Sequence, residues 1–246
     1  MAKHSVIPLG DAAAYVEFSE TLDLAVNAKT QRLAQAIRAL NLPWLTDVVP
    51  TLGGVALHFD LQHVELPASP TMEIAEMVEA CLAEGATSKL ARPRLVEVPV
   101  CYAPVFGLDL ALVANTLQLS EQRVIELHCA GEHRVLMMGF SPGQPYLGGL
   151  DPSLSLPRKT TPRTKVPAGS IAIANTQTVI YPFATPGGWS IIGRTPLQLF
   201  DVSRTPACLL APDDRIQFVS IDEREFERLV GASKSASSEF AQGEKL

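Results

Sequence analysis

The sequence is poor in cysteine, in charge and in long apolar runs, and each shortage excludes a class of protein. Four cysteines in 246 residues stand far apart, so they form no disulfide framework and predict a reduced, cytoplasmic chain. Charged residues make up 19% and the net charge is −6, which argues against nucleic acid as a partner. No apolar run approaches the ~20 residues that cross a bilayer, and the first residues lack a secretion signal, so no membrane partner is expected.

Motifs that bind nucleotides or metals, or that perform hydrolysis, are missing as well. The sequence contains no GxxxxGK[ST] loop, no GxGxxG and no GxSxG elbow. His128, Cys129 and His133 are too sparse for a metal site and lack a fourth ligand, so no metal is expected. The residues alone therefore indicate a binding pocket rather than a recognisable catalytic centre.

Glycine and proline, by contrast, are dense in the stretch Met138–Asp201. Short β-branched runs separate the turn signals there, at Ser170–Ala174, Val179–Tyr181, Ser190–Ile192 and Leu197–Phe200. Short strands with a turn about every ten residues are typical of a barrel or sandwich. A flexible linker would not carry so many aliphatic and aromatic side chains. We expect a mainly-β domain whose functional face lies in this stretch.

The first 90 residues predict a small α+β domain. Extended runs at His4–Leu9 and Ala12–Phe18 indicate a hairpin, and two more strands are expected at Trp44–Val49 and Gly54–Phe59. Helical periodicity separates the two strand pairs and recurs after the second pair. The order of strands, helix, strands and helix favours a layer with both helices on one face.

Polar and glycine residues mark the expected ends of the two helices. Asp23 precedes the first helix and Pro43 stops it. Thr71 is expected to cap the second helix, and Gly85 is placed to end it.

The polar segment Thr87–Pro93 has no periodicity and is the expected domain boundary. The second domain then spans residues 91–231, and residues 232–246 form a flexible polar tail. Outside the glycine- and proline-rich stretch, this domain is expected to contain strands at Arg94–Tyr102 and Arg134–Phe140 and helices at Asp109–Leu119, Ser120–Cys129 and Asp222–Val230.

The first candidate binding segment is the loop GFSPGQPYLGG at residues 139–149. Its prolines and glycines free backbone N–H and C=O groups, which a ligand carboxylate or amide could use. Pro142, Gly143 and Tyr146 are the residues we expect to contribute. The alternative is a rigid turn that only joins two strands.

The second candidate is the basic run at residues 158–165. Arginine binds a carboxylate through two parallel hydrogen bonds, and the hydroxyl of Thr164 could complete such a site. Arg158 and Arg163 are preferred because each follows a proline that stiffens the backbone, and we expect them to neutralise anionic oxygens. The alternative is a solvated loop or a docking surface for an acidic partner.

The third candidate combines a strand with the tight turn that follows it. Polar groups on the strand could orient an amide, and the turn with its tryptophan could shape the pocket. These residues are Gln177, Thr178, Tyr181, Gly187, Gly188 and Trp189. The alternative for the tryptophan is a core aromatic.

His128 is the candidate for proton transfer, because histidine titrates near neutral pH and serves as a general base. The alternative is a hydrogen-bonded histidine with a structural role.

Four motifs stand in order in the second domain: PGQPYLGGLDP, PRKTTPRTKVPAGS, QTVIYP and TPGGWSIIGRTPL. On these motifs the chain resembles the family that includes the B-type subunit of 5-oxoprolinase, a sporulation-kinase inhibitor and the allophanate hydrolase subunit 1 domain of urea carboxylases. The resemblance is strongest over Arg94–Asp214. In the leading domain, VVPTLGGVALHFD resembles a strand pair of the same family.

The resemblance implies a cyclophilin-like β-barrel behind the α+β domain. It also implies a component of a complex that opens 5-oxoproline, a small anionic amide, to glutamate with ATP as co-substrate. The implied partners are a second cyclophilin-like subunit of the C type and a third subunit of the A type. The alternatives are a module that inhibits a sensor histidine kinase, a subunit of the allophanate hydrolase or urea carboxylase type and, by fold analogy alone, a prolyl isomerase.

The chain departs from the family pattern at two positions that bear on the predicted pocket. Gln144 stands where the family usually has an aromatic residue, and Asn175 stands where it usually has a small residue, often glycine. A polar Gln144 at the pocket lip could change the substrate or mark a divergent paralogue.

Overall fold

The computed structural model describes residues 4–63, 65–83 and 93–232. The chain divides into two compact units, Met1–Pro93 and Arg94–Leu246. Three sequence-based expectations lie outside the described residues: the helix end at Gly85, most of the boundary segment (residues 87–92) and the tail at residues 233–246.

The first unit is a four-stranded antiparallel sheet in the order β1–β2–β4–β3, with two helices packed against it. Its apolar core joins the inner side chains of the sheet, such as Val16 and Leu57, to Ile37 and Ile74 of the helices. This architecture confirms the expected α+β domain. The elements are β1 (Ser5–Pro8), β2 (Ala13–Glu17), α1 (Leu24–Ala39), β3 (Leu45–Pro50), β4 (Gly54–Phe59) and α2 (Pro70–Ala83).

The two helices of this unit begin in different ways. The carboxylate of Asp23 caps α1, because it accepts hydrogen bonds from the backbone N–H groups of Ala25 and Val26 at 2.7 and 3.0 Å. Helix α2 begins at Pro70, one residue before the expected cap at Thr71, so that expectation is wrong. Proline suits the first helical position because a backbone N–H there would have no acceptor within the helix, so its absence costs no hydrogen bond.

The second unit is a closed barrel of seven strands in the order β10–β7–β6–β13–β5–β12–β9. Neighbouring strands are antiparallel except β13 and β5, which run parallel. This confirms the expected mainly-β, cyclophilin-like barrel. The elements are β5 (Leu95–Cys101), α3 (Leu110–Leu117), α4 (Glu121–Ala130), β6 (His133–Met138), β7 (Pro145–Gly148), a 3₁₀ turn (Pro152–Leu154), β8 (Arg163–Val166), β9 (Ser170–Ala174), β10 (Gln177–Ile180), β11 (Thr185–Gly187), β12 (Ser190–Arg194), β13 (Arg215–Ile221) and a helix at residues 223–232.

One wall of the barrel is buried on both of its faces. In β9, Ile171 and Ile173 belong to the interior core, whereas Ala172 and Ala174 belong to a second cluster on the outside. A two-stranded ribbon of β8 and β11 stands apart from the barrel sheet and contributes Val166 to that outer cluster. The small outward side chains of Ala172 and Ala174 leave room for Tyr181 and Trp189 to pack on the outer face of the barrel.

Asn175 lies in the two-residue turn between β9 and β10 with a φ of 51°. Glycine reaches this left-handed conformation without strain, and asparagine tolerates it better than most residues do. Asparagine at this position is therefore compatible with the hairpin.

The expected strand at Leu197–Phe200 does not form, apart from a single bridge between Phe200 and Cys208. The guanidinium of Arg204 donates to the carbonyl oxygens of Gln198 and Leu199 at 3.3 and 3.2 Å. The Gln198 carbonyl is therefore bound by a side chain, and the Leu199 carbonyl accepts both from Arg204 and from the backbone N–H of Leu209 at 2.8 Å, so no regular strand ladder forms along this segment.

A polar cluster centred on His128 lies inside the barrel. The imidazole is fully buried and stacks on Phe218 with 4.4 Å between ring centroids. The hydroxyl of Tyr102 lies 2.7 Å from its Nδ1, and Oγ1 of Thr178 lies 3.4 Å from its Nε2. His133 is also buried, and its Nε2 donates to the carbonyl of His128 at 2.8 Å.

Both histidines of this cluster are held neutral. Burial lowers the pKa of His128 well below its ordinary value, and the neighbouring His133 lowers it further. Burial also lowers the pKa of His133, although hydrogen bonds to backbone carbonyls oppose the change. The two histidines therefore act as neutral hydrogen-bonding groups that link neighbouring parts of the barrel interior.

We expect the second unit to lose stability as the pH falls below about 6.5. In the unfolded chain each histidine takes up a proton near pH 6.5, whereas the buried forms stay neutral. Stability is therefore complete above about pH 6.5 and falls below it by up to ~1.4 kcal/mol per pH unit for each histidine. Denaturant unfolding at several pH values measures the slope. His128→Gln, which cannot titrate, should show roughly half the parent slope, and equal slopes in the two proteins would contradict the account.

Candidate functional site

A pocket of about 340 Å³ lies on the outside of the barrel. It forms where the loop between β6 and β7, the segment before β8 and the turn between β11 and β12 meet. Apolar rings and a few polar groups line it, which is typical of sites for small molecules. The lining residues are Phe140, Gln144, Tyr146, Arg158, Lys159, Pro162, Tyr181, Pro186, Gly187, Gly188 and Trp189.

Three aromatic side chains fix the pocket walls. Tyr181 and Trp189 are buried in the outer apolar cluster, and Tyr146 packs against the same cluster. The rings of Tyr146 and Trp189 meet edge to face, with centroids 6.0 Å apart. Both faces of the adjoining barrel wall are packed, so these rings have little freedom to move.

Arg158 is a pocket residue whose positive charge is available to bind a ligand. Its guanidinium lies over the ring of Trp189, with Cζ 5.3 Å from the ring centroid. Among the described residues, no carboxylate pairs with it and no hydrogen bond to it is present. An unpaired guanidinium on a rigid aromatic ring is suited to bind a carboxylate.

The two pocket phenols are hydrogen-bond donors at physiological pH. Burial raises the pKa of Tyr181 to about 12, with Tyr146 adding to the shift and Arg158 opposing it. Burial also raises the pKa of Tyr146. Both hydroxyls therefore stay protonated, and a carbonyl or carboxylate oxygen of a ligand could accept from them.

Gly187 sets the position of the Tyr181 hydroxyl. A Cβ atom added at Gly187 would lie 2.4 Å from Oη of Tyr181, well inside van der Waals contact. The backbone of the ribbon can therefore approach the phenol only because residue 187 has no side chain. Gly188 is different, because a Cβ atom there would have its nearest neighbours at 3.6 Å, an ordinary contact.

The loop between β6 and β7 supplies an amide to the pocket. Gln144 is only 3% exposed, and its Oε1 accepts a hydrogen bond from the hydroxyl of Ser141 at 3.2 Å. Phe140 stands at the rim, 71% exposed, with a φ of 71° that is uncommon for an aromatic residue. The sequence departure at Gln144 therefore lies inside the pocket.

The carboxylate of Asp109 binds two of the cations in the basic run. Asp109 lies just before α3, is 3% exposed, and binds Arg163 through two hydrogen bonds of 2.8 and 2.9 Å. Nζ of Lys159 lies 2.8 Å from the same carboxylate. Burial favours a higher pKa for Asp109, but the bonds from Arg163, Lys159 and the Ile191 amide outweigh it, and the pKa is lowered.

The predicted site residues fall into two groups. Those that line the pocket are Tyr146, Arg158, Tyr181, Gly187, Gly188 and Trp189. Those that the structure places elsewhere are His128, Pro142, Gly143, Arg163, Thr164, Gln177 and Thr178.

Residues outside the pocket have physical reasons for their places. His128 and Thr178 face the barrel interior. Arg163 is bound to Asp109, and Thr164 is exposed on the ribbon. Gly143, with a φ of 77°, allows its loop to pack against Phe200, because a Cβ atom there would lie 2.8 Å from the Phe200 Cβ.

Sequence reasoning missed the part that Asp109 plays. A carboxylate at the start of a helix usually serves as a cap, and nothing in the sequence joins it to a basic run more than forty positions later. The side chain of Asp109 makes no cap hydrogen bond in this fold. Lys159 stood within the predicted basic run, but only the structure separates its role from that of Arg158.

Two classes of site are absent from the described part of the chain. Among residues 4–63, 65–83 and 93–232, no group of three or more histidine, cysteine, aspartate or glutamate side chains could hold a metal ion. Within the same ranges, no helix is both long and apolar enough to cross a membrane.

Comparison with known proteins gives consistent similarities. A family model described as carboxyltransferase domain, subdomain C and D, matches residues 4–210. The chain is 39% identical over 229 residues to a protein of Bacillus subtilis (strain 168) named as the B-type subunit of 5-oxoprolinase, covering 91% of this chain and 95% of that protein. The protein of the same name from Escherichia coli O157:H7 is 38% identical over 211 residues, covering 86% and 93%.

A solved structure supports the same relationship. The crystal structure of TTHA0988 superposes with a TM-score of 0.73 at 34% sequence identity. The match covers 85% of this chain and 40% of that chain, so TTHA0988 contains much sequence beyond the shared part. The similarity spans both units of the present chain.

We expect Gly187→Ala to disturb the pocket and Gly188→Ala to leave it intact. The added methyl at position 187 displaces the packed phenol of Tyr181, which should cost about 1–3 kcal/mol of stability. The methyl at position 188 meets only ordinary contacts. Thermal unfolding measures both effects, together with tryptophan fluorescence recorded with Trp44→Phe added to each protein, so that Trp189 is the only tryptophan. Equal behaviour of the two variants would show that residue 187 does not set the position of the phenol.

Proposed function

The chain belongs to the family of carboxyltransferase-domain subdomains C and D, which includes the B-type subunit of 5-oxoprolinase, and from this premise we propose its function. It is the B-type component of a complex that opens 5-oxo-L-proline to L-glutamate at the expense of ATP. The supporting observation is the similarity to two proteins named as this component of 5-oxoprolinase, which runs along nearly the whole of both.

The chemistry of the pocket supports this assignment. 5-Oxoproline carries one carboxylate and one lactam amide on a small ring. Arg158 offers a guanidinium to the carboxylate, and Trp189 offers a flat apolar surface to the ring. The hydroxyl of Tyr181 and the amide of Gln144 could then meet the lactam oxygen and nitrogen.

In this assignment the chain binds and orients the lactam. Opening the ring breaks the bond between the carbonyl carbon and the ring nitrogen, adds water across it, and leaves a second carboxylate and an amine. A hydrogen bond from Tyr181, whose pKa is raised to about 12, polarises the carbonyl without giving up its proton. His128 does not line this pocket, so we assign it no step.

The remaining parts of the reaction are assigned to other subunits. The chain has no nucleotide-binding motif, and the pocket offers the single guanidinium of Arg158, which is little for a triphosphate. We propose that ATP is held elsewhere in a complex with a second cyclophilin-like subunit of the C type and a third subunit of the A type. The name of the relatives, which designates one component of several, supports such an assembly. We place the complex in the cytoplasm.

Replacing Arg158 should weaken the binding of 5-oxoproline at least tenfold. Loss of a charge-assisted hydrogen bond removes about 1.5–3 kcal/mol of interaction. Calorimetric titration of Arg158→Met with L-5-oxoproline tests this, followed by 5-oxoproline-dependent ATP hydrolysis after the partner subunits are added. Arg123→Met is the matched control, because Arg123 lies exposed on α4 and pairs with Glu126. If Arg158→Met bound 5-oxoproline as tightly as the parent, the pocket would not be the binding site for 5-oxoproline.

A further inference from the structure

The carboxylate of Asp109 has its hydrogen-bonding capacity filled by two cations and a backbone amide. Oδ1 faces Nζ of Lys159 at 2.8 Å and Nη2 of Arg163 at 2.9 Å. Oδ2 accepts from Nη1 of Arg163 and from the backbone N–H of Ile191, each at 2.8 Å. Such a buried, fully bonded carboxylate holds its partners firmly.

Asp109 is itself held in a fixed place. Its backbone N–H donates to the carbonyl of Ile191 at 2.7 Å, while the amide of Ile191 donates back to its side chain. Ile191 lies on β12, two residues after the pocket residue Trp189. The carboxylate is therefore attached to the same strand that follows a pocket wall, although Asp109 does not line the pocket.

Lys159 is the residue through which Asp109 reaches the pocket. Its backbone N–H donates to the carbonyl of Gly188 at 2.7 Å, and the residue lines the pocket. Its ammonium, however, is bound to Asp109. Arg163, the other partner of Asp109, does not line the pocket.

We infer that Asp109 is a positioning residue, which holds the Lys159 ammonium away from the ligand and leaves Arg158 as the cation that meets it. The inference rests on the proposed function for the identity of the ligand, but not for the geometry. A pocket with one available guanidinium selects a monocarboxylate such as 5-oxoproline over a phosphoryl dianion. Asp109 thus determines the charge that the pocket presents.

Two double variants with the same net charge separate positioning from simple electrostatics. Asp109→Asn with Lys159→Met and Asp109→Asn with Arg163→Met each retain one positive charge in the cluster, as the parent does. Only the second contains a lysine that has lost its partner. The two differ in which cation remains, and only Lys159 can turn toward the pocket.

Iodide quenching of Trp189 fluorescence measures the positive charge at the pocket. The protein contains two tryptophans, so Trp44→Phe leaves Trp189 as the single tryptophan, which is excited at wavelengths that tyrosine does not absorb. We expect the variant with free Lys159 to raise the iodide quenching constant about twofold, because a local cation concentrates anions. The variant without Lys159 should match the parent. The neutral quencher acrylamide should act equally on all three, since it reports access alone.

Equal iodide quenching in the two double variants would overturn the inference. The same proteins are titrated with L-5-oxoproline, and the variant with free Lys159 should show the larger change in affinity. If the parent does not bind 5-oxoproline but the iodide result holds, the proposed function fails and the positioning role stands.

A single variant keeps the test decisive if the double variants do not fold. Asp109→Asn in the otherwise intact protein removes the charge that holds the Lys159 ammonium and keeps a side chain of the same shape. It should raise the iodide quenching constant of Trp189 about twofold and leave acrylamide quenching unchanged, because a released ammonium concentrates anions at the pocket. Iodide quenching equal to that of the parent would show that Asp109 does not hold the ammonium away from the pocket, which contradicts the role given to it.

Discussion

One wall of the barrel must be packed on both faces, and the rest of the second unit follows from that constraint. Its inner face meets the core around Ile171 and Ile173, whereas its outer face needs a separate cover. The ribbon of β8 and β11 provides the cover, and the pocket opens where the cover ends. Because apolar surface must be removed from water on both sides, the rings that line the pocket are also part of a core. Binding surface and structural packing are therefore the same side chains.

The polar groups of the barrel divide between two environments with opposite consequences. Inside, His128 and His133 are neutral and bonded to neighbouring protein groups, so they contribute order and little chemistry. Outside, Arg158 has no carboxylate partner among the described residues, and Tyr181 retains its proton. Within the part of the chain that the structure describes, unpartnered polar atoms also occur away from the pocket, at Nδ1 of His133, Nε2 of Gln177 and Oγ1 of Thr185, but each of those atoms is buried in the protein. The pocket, unlike the buried histidine cluster, therefore places a cation and a phenol where a small molecule could reach them, which is the basis of the proposed function.

Charge within the basic run is distributed by a residue from a distant part of the chain. Asp109 precedes α3, yet its carboxylate lies against the segment before β8. A buried carboxylate is costly without partners, and two cations of the run satisfy it. The free-energy cost of burying Asp109 is therefore offset only when the segment around Lys159 is ordered against it. The pocket owes its single available guanidinium to this arrangement.

The sequence by itself predicted the layout of the first unit and, through four local motifs, the family and its barrel. Periodicity and turn residues alone left a barrel or a sandwich open, and they predicted a strand at Leu197–Phe200 that does not form. The sequence also indicated Tyr181, Trp189 and the glycines of the TPGGW turn, since aromatic residues beside a tight turn are typical of a pocket. It could not distinguish Arg158 from Arg163, which both follow prolines five positions apart. Only the tertiary structure decided between them, because the deciding partner, Asp109, meets the run through folding and not through sequence proximity. The tertiary structure likewise decided the place of His128, because a helix position does not reveal that the imidazole is buried inside a closed barrel.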